Sequence, residues 1–221
     1  MRLSSSQTWA IVGFAALVWL ALAWLGVTTE GDAGVVLRLA DVIPALLVLF
    51  AIHERWLWRW QPFHRLGISP APVVSGTWRG ELATHWKDPD TGEVPSPKTV
   101  YLAIHQTLTT IHVRMLTDES ASDQVSGGIS SDGSAPTIVY TYRSEPDLAL
   151  RGVRSEIHYG AAVLRVNGKP ARELEGRYWT DRLSRGTFSF TEHSVYIAQS
   201  FAEASKLKYG RPKPAGVVAR S

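Results

Sequence analysis

A long uncharged segment near the amino terminus constrains this chain more than any other feature. From Trp9 to Val27 there are 19 consecutive residues without a charged side chain. As a helix with a rise of about 1.5 Å per residue, the segment is about 28 Å long, which matches the hydrocarbon thickness of a bilayer. A cleaved signal peptide is the alternative, because Ala-Leu-Ala at 21–23 resembles a cleavage site, but the segment exceeds the usual length of a signal peptide's apolar region. We therefore predict a retained transmembrane helix over 9–27.

A second apolar segment follows at once, over residues 33–52. The short connection contains Glu30, Asp32 and glycine, which favours a tight antiparallel pair of helices. A basic flank with tryptophans at positions 56, 58 and 60 follows the second segment, and such a flank marks the cytoplasmic side of a membrane. The sequence thus predicts a two-helix transmembrane hairpin within 1–62, with both termini and the rest of the chain in the cytoplasm.

Two charged residues, Arg38 and Asp41, interrupt the second apolar segment. They are three residues apart, so on a helix they share a face and can pair. One interpretation places them near the outer headgroups, where the Arg38 side chain extends toward water. The other makes them a polar stripe that contacts further copies when hairpins assemble, because charged residues inside a membrane are candidates for function. The sequence leaves both interpretations open.

The pattern changes after a linker over 63–72. From 73 to 200, apolar and polar residues alternate and turn signals recur about every ten residues, which is typical of an all-β sandwich or barrel. Eight strands are predicted, over Val74–Trp86, Thr99–Gln106, Thr109–Thr117, Ser122–Ser130, Thr137–Arg143, Glu156–Val166, Ala171–Asp181 and Gly186–Glu192. Short links, including the hairpin signal Asn167-Gly168, favour an eight-stranded up-and-down antiparallel β-barrel of lipocalin-like type, because closure removes free strand edges.

The alternation also predicts which side chains point into the barrel. Because the helical spans tether the barrel beside the membrane rather than within it, the apolar and aromatic faces of the strands should point inward. The residues predicted to line a small-ligand pocket are Trp78, Thr84, Tyr140, Tyr142, Tyr178, Thr180 and Arg182. The aromatic rings would stack on bases, while the hydroxyls and Arg182 would bind phosphate. In the alternative, Trp78 and Tyr178 only fill a closed end of the barrel and Arg182 caps it.

The rest of the sequence offers few motifs for catalysis or for metal and cofactor binding. The chain has no cysteine, which excludes disulfides, thiolate nucleophiles and cysteine-containing metal sites. Its seven scattered histidines form no metal motif, and it has no phosphate loop or nucleophile elbow, so we predict no metal, no cofactor and no enzyme. A capping box at Ser200–Glu203 predicts a short helix to Lys208, within a carboxyl-terminal region 201–221 that ends as a basic tail. The positive net charge belongs to this tail, so a DNA or RNA partner is not predicted.

Several short motifs accompany this architecture. The barrel opens with Ser75-Gly76-Thr77-Trp78-Arg79-Gly80 and closes with Glu175-Gly176-Arg177-Tyr178-Trp179-Thr180-Asp181-Arg182, followed by Arg185-Gly186-Thr187. Together with the two preceding spans, these motifs resemble the CD-NTase-associated membrane-anchored β-barrel effectors of bacterial CBASS anti-phage systems. Gly76-Thr77-Trp78 alone is also similar to the lipocalin Gly-x-Trp signature, so the architecture carries much of the resemblance.

The resemblance implies a receptor whose barrel binds a cyclic nucleotide second messenger, made by a partner CD-NTase during phage infection. It also implies that copies of the receptor assemble into homo-oligomers and that their helices disrupt the bacterial inner membrane, leading to cell death or growth arrest. From the residues alone, a membrane-tethered lipocalin-like carrier or receptor for an apolar small molecule remains the alternative function.

Overall fold

The computed structural model describes Pro44 and residues 46–60, 71–87, 91–130, 135–151 and 156–211. The chain divides into two compact units, Met1–Pro70 and Ala71–Ser221. In the first unit, residues 46–55 are helical and the 3₁₀ turn Leu57–Arg59 follows them.

The predicted membrane hairpin falls largely outside the described residues. Span 9–27, Arg38 and Asp41 all lie outside them, and only Pro44 and 46–52 of span 33–52 lie within them. Within the part of the chain that the structure describes, no helix has the length and apolar character needed to cross a membrane.

The second unit contains a closed antiparallel β-barrel of eight strands in sequence order. The strands are β1 (Gly76–Thr84), β2 (Lys98–Gln106), β3 (Ile111–Leu116), β4 (Ser120–Ser130), β5 (Thr137–Pro146), β6 (His158–Asn167), β7 (Glu173–Thr180) and β8 (Arg185–Ser194). Each strand pairs with its neighbour in sequence, and β1 closes the barrel against β8. The up-and-down barrel predicted from the alternation is confirmed, with ends that differ by a few residues.

Alternation of buried and exposed side chains runs cleanly along β5. Ile138, Tyr140, Tyr142 and Ser144 are buried, whereas the residues between them lie on the outer surface. Ile138, Tyr140 and Tyr142 join one apolar cluster that fills much of the barrel and draws on all strands except β4, from which only the half-buried Ile129 packs against it. Burial of one large apolar side chain stabilises a fold by about 1.5–3 kcal/mol, so the alternation along β5 specifies which of its faces points inward.

The wall between β3 and β4 is held differently from the others. Their ladder comprises three residue pairs and ends at Arg114–Asp123, and a β-bulge follows in β4 between Gln124 and Ser126. Beyond the ladder, the Gln124 side chain takes over: its Oε1 accepts from the Val113 N–H (2.9 Å), and its Nε2 donates to the Ile111 carbonyl (3.0 Å). At this seam between β3 and β4, hydrogen bonds to the Gln124 side chain therefore replace hydrogen bonds between the two backbones.

One end of the barrel, which we name the tryptophan end, is closed by the residues that precede β1. The Trp78 indole N–H donates to the Val74 carbonyl (2.8 Å), and the Val74 N–H donates to the Gln106 side chain (2.8 Å). Because Val74 bonds a side chain instead of a neighbouring strand, β1 begins at Gly76 and not at Val74 as predicted. The His193 ring lies 4.6 Å from that of Trp78 and hydrogen-bonds the Ser75 carbonyl through Nε2 (3.0 Å).

The carboxyl-terminal segment returns to the tryptophan end after crossing the outer wall of β2–β4. Phe201 and Tyr209 pack on Tyr101 from outside the barrel, with ring centroids 5.2 and 5.7 Å away. Gly210 then pairs with His193 through two backbone hydrogen bonds of 2.9 and 3.1 Å. The chain thus enters and leaves the barrel at the same end.

The short helix in this segment spans Phe201–Ala204, so the predicted extension to Lys208 is wrong. Its start matches the prediction, because the Ser200 hydroxyl accepts from the Glu203 N–H (3.2 Å). The helix ends early because the chain turns to seat Tyr209 on the barrel, where the Tyr209 hydroxyl donates to the Ala204 carbonyl (2.7 Å). Residues 212–221 of the predicted basic tail lie outside the described residues.

Candidate functional site

The end of the barrel away from Trp78, which we name the tyrosine end, carries most of the predicted pocket. Four consecutive strand pairings link five inward residues in one oblique row around the wall: Tyr140, Ala162, Tyr178, Gly186 and Thr84. Large and small residues alternate along this row. Such alternation leaves space between neighbouring rings, which a row made only of large side chains would fill.

Two glycines determine where the tyrosine rings lie. A Cβ atom added to Gly160 would be 2.5 Å from both Cζ and the hydroxyl oxygen of Tyr142, and one added to Gly186 would be 2.6 Å from the ring of Tyr178. Each ring therefore lies against the glycine of a neighbouring strand, in space that any other residue would occupy. The glycines thus hold the rings at the wall of the barrel.

Hydroxyl groups at the tyrosine end differ in their partners. The Tyr178 hydroxyl hydrogen-bonds the Thr84 side chain, and Thr180 Oγ1 lies 2.7 Å from Ser184 Oγ. The hydroxyls of Tyr140 and Tyr142 form no hydrogen bond with any residue that the structure describes. Neither oxygen is among the fully buried, unpartnered polar atoms of the described residues, so a polar ligand can reach both hydroxyls and hydrogen-bond them in place of water.

The phenols of this site are neutral. Burial raises the pKa of both Tyr140 and Tyr142 above the usual value of 10, and the neighbouring tyrosine raises each pKa further. Burial also raises the pKa of Tyr178, against a smaller opposing effect of the hydrogen bond to Thr84. All three side chains therefore keep their protons at physiological pH and can donate hydrogen bonds.

Positive charge is confined to the surface near this end. The buried polar residues that the structure describes carry hydroxyl or amide groups and no charge. Arg182 is exposed in the turn after β7, and Lys98, at the start of β2, pairs with Glu119 (3.1 Å). The interior can therefore accommodate neutral rings and hydroxyls, while an anionic group would be better placed at the mouth.

The structure brings together five of the seven predicted site residues. Thr84, Tyr140, Tyr142, Tyr178 and Thr180 belong to two adjacent rows of cross-strand partners that lead to the tyrosine end. The other two lie elsewhere, as their positions in the strands dictate.

Trp78 is at the tryptophan end, six residues along β1 from Thr84 and so about 20 Å away. Arg182 lies beyond the end of β7, where the strand alternation no longer sets the direction of a side chain. Contact of any of these residues with a ligand stays a prediction.

Four residues that shape the tyrosine end were missed by sequence analysis. Gly160 and Gly186 accommodate the tyrosine rings, and the buried Ser122 and Ser144 are cross-strand partners nearer the mouth. A glycine inside a strand is itself a signal, because it marks close approach of another group. The serines carry no such signal, since their burial depends on how β4 and β5 pair.

A closed eight-stranded barrel with a polar end defines a class of small barrels that can hold one small ligand. Comparison with known proteins narrows this class. Residues 69–192 match the family described as "Cap15, cyclic dinucleotide receptor domain", and because the match covers more than half of the chain, the protein belongs to this family. The chain is also 26% identical to "CD-NTase-associated protein 15" of Staphylococcus schleiferi over 134 residues, which are 61% of this chain and 67% of that relative. Both findings support the resemblance to CBASS effectors.

Proposed function

We propose that this protein is a membrane-anchored effector of bacterial anti-phage defence whose barrel binds a cyclic dinucleotide at the tyrosine end. The observation that carries the proposal is the pair of hydroxyls on the buried residues Tyr140 and Tyr142, which have no hydrogen-bond partner among the described residues and are not fully enclosed, in a cyclic dinucleotide receptor fold. A ligand with hydrogen-bonding ring edges and sugar hydroxyls would supply the missing partners.

The charge distribution suggests how such a ligand would be oriented. Bases would lie against the rings of Tyr142 and Tyr178, since aromatic stacking tolerates any base. The phosphates would remain at the mouth, within reach of Arg182, because the interior offers them no cation. Trp78 would then stabilise the closed end and take no part in binding.

The remainder of the proposal concerns the membrane. The hairpin predicted within 1–62 would anchor the protein in the bacterial inner membrane, with the barrel and both termini in the cytoplasm. Nucleotide made by a CD-NTase would bind the barrel and drive assembly of several copies, and their helices, with Arg38 and Asp41 between them, would disrupt the bilayer. The apolar segments of the sequence and the family membership support this sequence of events.

Calorimetry and vesicle leakage test the proposal on the full-length protein. Purified protein in detergent would be titrated with a panel of cyclic dinucleotides and with the matching linear dinucleotides as controls. The same protein in dye-filled vesicles of anionic and zwitterionic lipid should release dye only when a binding nucleotide is present. Failure of every cyclic dinucleotide to bind would overturn the sensing step, and binding without leakage would overturn the membrane step.

One observation favours a second candidate, a carrier or receptor for an apolar small molecule. As far as the structure describes it, the cluster that fills the barrel consists of apolar and aromatic side chains and contains no charged group. Displacement of a fluorescent fatty acid from the full-length protein separates the two candidates. A carrier would bind the probe and release it to unlabelled fatty acid but not to a cyclic dinucleotide, whereas a receptor specific for nucleotide would not bind the probe.

A further inference from the structure

The outer wall of β4–β7 presents a group of apolar side chains to solvent. Val125, Tyr159, Trp179 and Val139 are 63%, 54%, 48% and 47% exposed, and we name them the outer-wall patch. A cavity of ≈ 330 Å³ opens within the patch and is walled mainly by Val125, Thr141, Tyr159, Ala161, Trp179 and Asp181. The most extensive exposed apolar patch of a protein is often a site of interaction.

Local structure explains the cavity. Thr141, Ala161 and Trp179 are successive cross-strand partners, so the small Ala161 forms a floor between two larger side chains. The bulge in β4 turns Val125 outward beside them. Bulges commonly re-aim a side chain for a purpose, and this one adds an apolar residue to an exposed surface.

A second apolar area on the outside of the barrel differs from the outer-wall patch because other residues of the chain cover it. Tyr101, Ala103 and Leu116, on the wall of β2 and β3, are covered by the chain's own carboxyl-terminal segment and are 5%, 3% and 2% exposed. The outer-wall patch has no such cover from any described residue. The described segments that flank the barrel meet it at the tryptophan end, whereas Trp179 adjoins Thr180 at the tyrosine end.

Charges of both signs border the outer-wall patch. The Asp181 carboxylate accepts from the Tyr159 N–H (3.2 Å) and forms no ion pair with a described residue. Arg177 and Arg185, on the adjoining strands, are exposed and likewise form no ion pair within the described chain. A surface with unpaired charges of both signs around an aromatic centre is complementary to itself when a two-fold axis relates two copies.

We propose that the outer-wall patch docks on the same patch of a second copy of this chain. Trp and Tyr at the centre and Arg at the rim match the composition of residues that dominate binding energy in protein interfaces. In a two-fold arrangement, Trp179 of each copy enters the cavity of the other, and Asp181 of each copy faces an arginine of the other.

The position of the outer-wall patch links docking to the ligand site, a link that rests on the proposed function. Tyr142, Gly160 and Thr180 contribute to the wall of the outer cavity, and the same three residues form one row of cross-strand partners at the tyrosine end. A ligand that displaces the Tyr142 ring from Gly160 would move the strands on which the outer-wall patch lies.

Cross-linking of the full-length protein tests the docking, and the absence of native cysteine makes single-cysteine variants clean. Thr141→Cys places a thiol in the outer cavity, and Thr99→Cys places one on the exposed outer face of β2 as the matched control. Treated with a short bis-maleimide in detergent, with and without a cyclic dinucleotide, Thr141→Cys should give a covalent dimer and Thr99→Cys should remain monomeric. Equal dimer yields from the two variants, or no dimer from either, would overturn the proposal.

A second pair of variants identifies the occupant of the cavity. Ala161→Arg fills its floor and should weaken self-association by about tenfold or more in light scattering, as loss of a central contact does, while Thr99→Arg should leave it unchanged. A thiol at 141 that is shielded from a monofunctional maleimide in a monomeric protein would show that the chain covers its own patch, which would also overturn the proposal. Calorimetry on the same variants measures nucleotide affinity separately, so a failure of docking is distinct from a failure of nucleotide sensing.

Discussion

The ring of Tyr142 lies against the backbone of Gly160 on the neighbouring strand, in the space that a side chain at position 160 would occupy. This relationship holds the phenol at the wall of the barrel and leaves its hydroxyl without a partner among the described residues. A glycine on one strand thus determines what a tyrosine on another can offer to a ligand.

Gly160→Ala should lower affinity for the nucleotide, because the new methyl group would push the Tyr142 ring from the wall into the space of the ligand. The methyl group would also come within 2.7 Å of the Trp179 carbonyl, so thermal stability should fall as well. Calorimetry and a melting curve measure the two effects. Gly128→Ala is the matched control, since a Cβ at that strand position meets nothing within 4 Å and should change neither property.

Tyr142→Phe and Tyr140→Phe should weaken nucleotide binding by roughly 2- to 10-fold each, the value of one hydrogen bond of about 0.5–1.5 kcal/mol. Stability should be unchanged or slightly higher, because neither hydroxyl has a partner among the described residues. Calorimetry and urea unfolding of the full-length protein measure the two quantities. Lower stability with unchanged affinity would instead make the hydroxyls part of the fold.

Thr77→Val should destabilise the barrel by about 1–3 kcal/mol, since one buried and one partly buried backbone group would lose their partner. The Thr77 hydroxyl donates to the Tyr196 carbonyl (2.7 Å) and accepts from the Ala198 N–H (2.9 Å), which fixes the carboxyl-terminal segment to β1. Urea unfolding gives the difference. Thr187→Val, on the exposed face of β8, should stay within about 0.5 kcal/mol of the parent.

His193 should make the fold sensitive to mild acid. Burial lowers the pKa of His193 below 6.5, against a smaller raising effect of the hydrogen bond to Ser75. The unfolded chain therefore binds the proton more readily, so this contribution to stability is complete above pH 6.5 and is lost as the pH falls through the lowered pKa.

Melting curves recorded between pH 8 and pH 5 check this expectation. His193→Gln should melt at a lower temperature at neutral pH but lose less stability in acid than the parent. The exposed His105→Gln should follow the parent at every pH. Identical pH profiles for the parent and His193→Gln would contradict the assignment.

Sequence alternation was sufficient to predict which side chains point into the barrel, but it was insufficient to predict where along the barrel axis each of them lies. Tyr140 and Tyr142 share the inward face of β5, as predicted, because the period of a strand is two residues. Trp78 shares the inward face too, but its height follows from the pairing of β1 with β2 and β8, which no single strand encodes. This is why a residue placed correctly inside the barrel lies at the end away from the tyrosines.

Strand ends were the second source of error. The prediction extended the alternation of β7 through Arg182, but the strand ends at Thr180, where the Thr180 N–H donates to the Ser184 carbonyl (3.0 Å) in a turn. Leu183 in this turn has a positive φ of 61°, a backbone conformation that bulky residues rarely adopt. A leucine in the sequence therefore does not predict such a turn. Past the last ladder bond, side-chain direction depends on the turn.

Because the Gln124 side chain joins part of β3 to β4, these two segments can separate without the loss of backbone hydrogen bonds between them. Two hydrogen bonds from a single side-chain amide replace the backbone ladder there. Separation of Ile111–Val113 from β4 therefore requires only a change of the Gln124 rotamer, after which water would hydrogen-bond the Val113 N–H, the Ile111 carbonyl and the side-chain amide. Opening free energies differ across a structure, and this seam combines a short ladder with a bulge. The amide hydrogens of Ile111 and Val113, which face this seam, should therefore exchange with solvent sooner than those of β5 and β6.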